Sequence, residues 1–286
     1  MINKYIEVID YLESLQIMPK TMPGLEKIRT ALELTDWYKK IDPSKVIIVA
    51  GTNGKGTTCA ALESLLIEAK QRVAFYSSPH LVSTTERIRI SGRQISQADF
   101  IEVFNQCFPL IKKCELSHFE ALSLMAGHYF FSAKWAQNLD FVIFEVGLGG
   151  IYDATNAFPH KYSVITKLGL DHVNILGNSI TDIAKNKFGI VASKNIVVHH
   201  PLPIEVNELK KTVQKSTNSN WVEAESCDFI IDKKNSIPRY FLKYNNTKFE
   251  INIIGKRAAE NIMTALTLFQ ILGFDSGSFY GALNKI

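Results

Sequence analysis

The chain has 286 residues, 46% of them hydrophobic and 21% charged, an ordinary balance for a globular protein able to bury one large core or two modest ones. Its net charge of +4 is mild, and Lys and Arg alternate with Asp and Glu without long blocks; this argues against nucleic-acid and membrane-surface binding and leaves small anionic substrates compatible. Cys59, Cys107, Cys114 and Cys227 form no C-x-x-C pair and no zinc spacing, Glu7, Asp10 and Glu13 exclude a signal peptide, and the apolar region Ala121 to Ala136 is interrupted by His128 and Lys134, so a cytoplasmic protein with reduced thiols is expected.

In chain order, Tyr5, Ile6, Ile9, Leu12 and Leu15 stand at helical spacing, Pro19 and Pro23-Gly24 break the pattern, and a second amphipathic helix runs from Leu25 to Leu34. Val46 to Ala50 is a β-branched run that reads as a buried parallel strand, Gly51 to Gly56 is a small-residue turn, and from Thr57 the period becomes helical through Ala60, Ala61, Ser64, Leu65 and Ala69. A strand, a glycine-rich turn and a helix in that order build a phosphate cradle, because the N–H groups of the turn and of the helix start point at one anion. Lys55 supplies the cation. Where the usual P-loop has glycine this chain has Val49, and where that loop has Ser or Thr after the lysine it has Gly56 and then Thr57. The structural alternative is a tight strand-to-helix turn with a solvated lysine.

Arg72 to Ser77 reads as the next parallel strand and leads into Ser78-Pro79-His80-Leu81, at a strand's carboxyl end, where ligands of open α/β sheets collect. Residues 97 to 113 are amphipathic and helical, and Ser117 with Glu120 has the spacing of a capping box opening a long buried helix through Ala136. Asp140 to Gly150, DFVIFEVGLGG, brings Glu145 to a strand end. An acid so placed beside a P-loop serves Mg²⁺, and without a partner its burial would be costly. Ser163 to Leu168 is a further strand ending in Gly169-Leu170-Asp171-His172, and Asn195 to His200 is another. His199 and His200 are adjacent strand residues facing opposite sides, so they read as structural. Residues 219 to 254 alternate as short strands around Asn245-Asn246, and Ile254 to Leu272 is an apolar helix.

Gly51 to Thr58, GTNGKGTT, resembles the loop of the Mur ligase superfamily, and its GTNGKG form is most similar to that of the folylpolyglutamate and dihydrofolate synthases. Gly24 to Ile28 resembles that family's GLERI-like stretch, Ser78 to Leu81 its S-P-H-L, Thr85 to Gly92 its ERI-x-I-x-G, Ser117 to Glu120 its T-x-F-E, and Gly169 to His172 its G-L-D-H. Gly147 to Asn156 is similar to GLGGRLDATN with Ile151 in place of the arginine. Ile180 to Ile190 is similar to I-A-x-E-K-x-G-I with Asn186 in place of the glutamate, and Gly255 to Asn261 to G-x-H-Q-x-x-N with Ala258 in place of the glutamine.

The resemblance implies that Thr52, Asn53, Gly54, Lys55, Gly56 and Thr57 hold the phosphates of ATP, and that Asn261 contacts the nucleotide base. It implies Mg²⁺ arranged by Thr57, Ser78, Glu145, His172 and a carbamylated Lys187, with Lys55, His172 and Lys187 as the catalytic set. Spacing alone leaves Lys185 open as the modified lysine. Phe119, Asp153 and Ala154 are expected to border the pterin, with plain core packing the alternative for Phe119.

The expected fold is α/β: a mostly parallel P-loop-type sheet with helices on both faces and a small antiparallel appendage. Residues 1–44 form an amino-terminal helical segment, 45–200 the P-loop core, and 201–286 the strand appendage and final helix. The family's carboxyl-terminal ligase domain is expected to be absent, which invites a separate chain carrying it. The implied reaction joins L-glutamate to a folate or dihydropteroate carboxylate through an acyl phosphate. Two other readings stay open: a degenerate ATP-binding homologue without turnover, and a Mur-type ligase for another carboxylate, for which Ile151 speaks.

Overall fold

A computed structural model describes residues 2–15, 24–135, 138–232, 238–245, 247–252, 255–275 and 282. The run Val46–Ala50 (β1) is buried at every position and pairs in parallel with Phe141–Glu145 (β5) on one side and Tyr162–Ile165 (β6) on the other. Val73–Tyr76 (β2) pairs in parallel with β5, while Ile196–His199 (β7) and Asn220–Glu223 (β8) extend the sheet beyond β6, again in parallel. Ile88–Ile90 (β3) and Arg93–Gln94 (β4) add an antiparallel hairpin at the β2 edge, giving the order β4-β3-β2-β5-β1-β6-β7-β8.

Strands buried on both faces need helices on both faces, and the alternation along β1 divides them. Val46, Ile48 and Ala50 point into one core, Ile47 and Val49 into the other. The first core is covered by Tyr5–Ser14 (α1), Glu26–Glu33 (α2), Gln97–Lys113 (α4) and His118–Phe131 (α5). The second lies under Lys55–Glu68 (α3) and Lys256–Ile271 (α9), packed on each other. Val173–Leu176 (α6), Ile180–Phe188 (α7) and Asn207–Thr217 (α8) connect β6 to β8. Asp228–Asp232 (β9), Arg239–Tyr244 (β10) and Thr247–Ile251 (β11) form a separate antiparallel sheet whose Leu242, Phe249 and Ile251 join the second core. No helix among the described residues is long and apolar enough to cross a membrane.

The expected α/β fold is the observed one, with local differences. In α1 the buried stripe runs through Val8 and Leu12, and Ile6 is 61% exposed, because position 6 falls beside the face that Tyr5, Val8 and Leu12 share. Helix α5 stops at Phe131, where Ser132 turns to extended backbone. The segment 207–223, expected to open the appendage, instead supplies α8 and the edge strand β8 of the main sheet. Pro19, Pro23, Ala136, Asn246 and Ile254 lie outside the described residues.

Candidate active site

The loop leaving β1 is fastened before it reaches α3. The N–H groups of Thr52 and Asn53 both donate to Lys167 O, at 3.0 and 3.3 Å, and the Thr52 hydroxyl donates to Gly169 O while accepting from Gly169 N–H. Those two backbone donors are therefore already in use, and the donors facing outward are those of the helix start. The first N–H of α3 paired with the chain behind it is that of Thr58, on Gly54 O, so Lys55, Gly56 and Thr57 carry the unpaired first-turn donors of a helix. Gly54 caps this helix at φ 90°, and a Cβ there would meet Asn261 Oδ1 at 2.2 Å. Asn261 is thus buried against the phosphate loop itself, and Thr58 Oγ1 donates to its carbonyl oxygen.

Two cations converge on one acceptor: Lys55 Nζ and Lys187 Nζ both donate to Gly51 O, at 3.2 and 2.8 Å. Lys187 is 3% exposed, and burial, reinforced by the nearby Lys55 ammonium, pulls its pKa down to about 8. Lys185, one face round on α7, is exposed. Of these two lysines of α7, Lys187 is the one that reaches the loop after β1.

Glu145 closes the opposite side. It is 5% exposed, and Oε2 accepts the N–H of Ser78 at 3.2 Å from the loop after β2. Its carboxylate also stands by the first turn of α3, since a Cβ on Gly56 would lie 3.4 Å from Oε1. Burial raises its pKa to about 7, against the pull of Ser78 N–H, Lys55 and Arg89. Arg89, within the Thr85 to Gly92 motif but given no role there, ties this wall together: its Nη2 donates to Glu63 Oε2 at 2.7 Å and its guanidinium lies 4.5 Å over Phe75. The sequence signal for this pair is an acid, Glu63, set among the apolar Leu62, Leu65 and Leu66.

Asp153 is equally buried but differently used. Its Oδ2 accepts the N–H groups of Gly147 and Leu148, and its Oδ1 accepts the N–H and hydroxyl of Thr155, so the residue knots the GLGG loop. Burial still holds its pKa above the usual carboxylate range. Ala154 is 3% exposed in the first core. Phe119 is half-buried, packs 5.8 Å from the Tyr76 ring, and lies so close to Gly147 that a Cβ there would be 2.8 Å from its ring. His172 is not drawn into this cluster. It caps α6 in left-handed backbone at φ 48°, half-exposed, with Nε2 3.6 Å from Asp171 Oδ2. Thr57 and Ser78 are half-buried beside Lys55 and Glu145. Among the described residues no three His, Cys, Asp or Glu side chains gather as a ready metal cluster.

This geometry has relatives. The Mur ligase middle domain family matches residues 49–269. The dihydrofolate synthase/folylpolyglutamate synthase of Escherichia coli is 41% identical over 196 residues, 68% of this chain and 44% of that one. The protein of the same description from Buchnera aphidicola subsp. Acyrthosiphon pisum is 35% identical over 230 residues, 77% of this chain and 54% of that one. The solved bifunctional folylpolyglutamate synthase/dihydrofolate synthase of Yersinia pestis, complexed with AMPPNP and Mn ion, superposes with a TM-score of 0.78 at 30% identity, covering 98% of this chain and 66% of that one. The chain spans about half the length of the curated relatives it matches. With a P-loop-type cradle on the central strand, the GLGG loop beside it and a family match over most of its length, the chain belongs to the Mur ligase family, on the branch of the folylpolyglutamate and dihydrofolate synthases.

Proposed function

We propose that this chain works in the cytoplasm in an ATP-dependent ligase that joins the amino group of L-glutamate to the carboxylate of a folate or of dihydropteroate. The names of its relatives support the substrates, and the AMPPNP and Mn ion of the Yersinia pestis structure support the cosubstrate and a divalent cation. The observation that carries the reading is the open first turn of α3 between Lys55 and the buried Glu145.

In the first half-reaction a substrate carboxylate oxygen bonds to the γ-phosphorus of ATP, the bond to the β,γ-bridging oxygen breaks, and ADP leaves. In the second, the glutamate amine bonds to the acyl carbon, the C–O bond to phosphate breaks, and the amine's proton is lost. Phosphoryl transfer is chiefly a problem of position and charge. The N–H groups of Lys55, Gly56 and Thr57 fan toward one point and hold phosphate oxygens there. Lys55 exchanges a neutral carbonyl, Gly51 O, for an anion, a stronger charge-assisted partner.

The donor set suits Mg²⁺, which prefers one or two carboxylates plus phosphate oxygens and water to an all-protein cage. Glu145, with the hydroxyls of Thr57 and Ser78, would hold it, and His172 would serve a second position. Bound there, the ion withdraws charge from the transferring phosphoryl oxygens. Lys187 contributes as its carbamate: its neutral amine adds to CO₂, a C–N bond forms, a proton is released, and one of two cations crowding Gly51 O becomes an anionic oxygen ligand. Phe119 and the Asp153-knotted loop border the pterin, and Asn261 steadies the phosphate loop.

The test is calorimetric binding of MgATP together with ADP release. Lys55→Ala is expected to weaken MgATP binding about 100-fold, the loss of a charge-assisted contact to a buried phosphate. ADP release is expected to require both glutamate and the pterin carboxylate. Unchanged ATP binding in Lys55→Ala, or release that ignores both organic substrates, overturns the reading.

A further inference from the structure

A cavity lies beside β2 and β4, away from the phosphate loop. Its volume is about 550 Å³, within the range of small-molecule sites. Its walls include Arg72 just before β2, Arg93 on β4, Asp99 in the first turn of α4, Tyr129 near the end of α5, and Lys134 with Trp135 just past it. Nothing in the ligase chemistry uses these residues.

Their chemistry is specific. Arg89 and Arg239 each take a carboxylate and Arg87 takes His80, whereas Arg72 and Arg93 have no carboxylate partner among the described residues. Lys134 pairs with Glu102 and lies 4.5 Å over the Trp135 ring. The Trp135 indole N–H is buried with no hydrogen-bond partner among the described residues, and such a donor carries a real desolvation cost until it finds an acceptor. The Tyr129 and Trp135 rings stand 5.2 Å apart at 44°, an aromatic wall. Asp99 is the carboxylate among the lining residues, an acceptor that an anion alone would not satisfy.

We propose that this cavity binds a nucleoside monophosphate. Two guanidinium forks match a phosphate dianion, which can take two bidentate partners. The Tyr129–Trp135 wall takes the flat base, Trp135 N–H serves a base or sugar acceptor, and Asp99 accepts from a sugar hydroxyl. A simple aromatic carboxylate would leave one guanidinium and Asp99 unmatched. An inorganic anion would leave the aromatic wall and the indole N–H unused.

The probe is adenosine 5′-monophosphate, titrated calorimetrically into the full chain, with adenosine and inorganic phosphate as its separate halves. Lys55→Ala, which disables the phosphate loop, is expected to leave this binding in place. The double variant Arg72→Gln/Arg93→Gln is expected to weaken it about tenfold or more, as the loss of two charge-assisted contacts requires. Trp135→Phe keeps the ring and removes only the N–H, and should weaken binding several-fold; it decides the matter if circular dichroism finds the double variant misfolded. Adenosine and phosphate should each bind about tenfold more weakly than the monophosphate. The proposal falls if the wild type does not bind the monophosphate at millimolar concentration. It falls equally if binding is lost in Lys55→Ala, or if it survives unchanged in both the arginine and the tryptophan variants.

Discussion

Asp153 and Glu145 come from one short stretch of chain, are equally buried, and live opposite lives. Asp153 accepts from three backbone N–H groups and a hydroxyl, filling both oxygens from its own loop. Among the described residues Glu145 takes a single N–H, from Ser78, while facing Lys55 and the helix start. Lys187, across the loop, resembles Glu145: a buried charge with one carbonyl as partner, and that carbonyl shared. A buried charge that the fold satisfies completely belongs to the fold. One left half-satisfied is held at a cost, and the ligand that completes it explains why it is there.

The sharpest way to break this contrast is to remove the satisfied acid. Asp153→Ala orphans the N–H groups of Gly147, Leu148 and Thr155 in a buried loop, and is expected to destabilise the protein by about 3–5 kcal/mol. Urea unfolding reads this as a lower midpoint at constant slope. A change below about 1 kcal/mol would mean that the loop relaxes freely, and that Asp153 is held for its ligand after all.

What the sequence made legible follows the same division between local and distant partners. The GTNGKG turn, the placement of Glu145 at a strand end, and helix α4, found at 97–113 as its periodicity indicates, are local patterns of glycine, β-branching and helical period. The consumption of the Thr52 and Asn53 N–H groups by Lys167 was not legible, because that acceptor arrives from another strand. Nor was the burial of Lys187 rather than Lys185, which depends on Gly51 O lying 136 residues away. The capture of β8 by the main sheet was hidden for the same reason: short alternating strands look alike whether they extend a parallel edge or start a new sheet. His172 matches its motif, yet its half-exposed side chain meets Asp171 and not Glu145, since no local pattern specifies where a loop histidine will point.

Glu145→Gln tests the half-satisfied acid. The folded-state pKa of about 7 lies above the usual carboxylate value, so the folded protein binds a proton more readily than the unfolded chain. Stability therefore falls as pH rises from about 4.5 through 7. Without divalent cations, the glutamine variant should be more stable than wild type by about 2–3 kcal/mol at pH 8, and the gain should vanish near pH 4.5. The same variant should lose affinity for MgATP. A gain in stability without that loss would make Glu145 a strained structural residue.

Lys187 gives the smallest effect and the finest distinction. Its pKa of about 8 in the fold lies below the usual lysine value, so here the unfolded chain binds the proton more readily. The penalty is fully present below pH 8 and is relieved as pH rises toward 10.5. In CO₂-free buffer, the stability of wild type relative to Lys187→Met should therefore rise by about 1–2 kcal/mol between pH 8 and pH 9.5, comparison with the variant cancelling the titration of other lysines and tyrosines. With ¹³C-bicarbonate the two cations on Gly51 O are expected to become one. A carbamate carbon resonance should then appear in wild type, be absent from Lys187→Met, and persist in Lys185→Met. A pH-dependent stability difference with no carbamate signal would leave Lys187 a plain buried ammonium, and the metal arrangement would then rest on Glu145 without an anionic partner from α7.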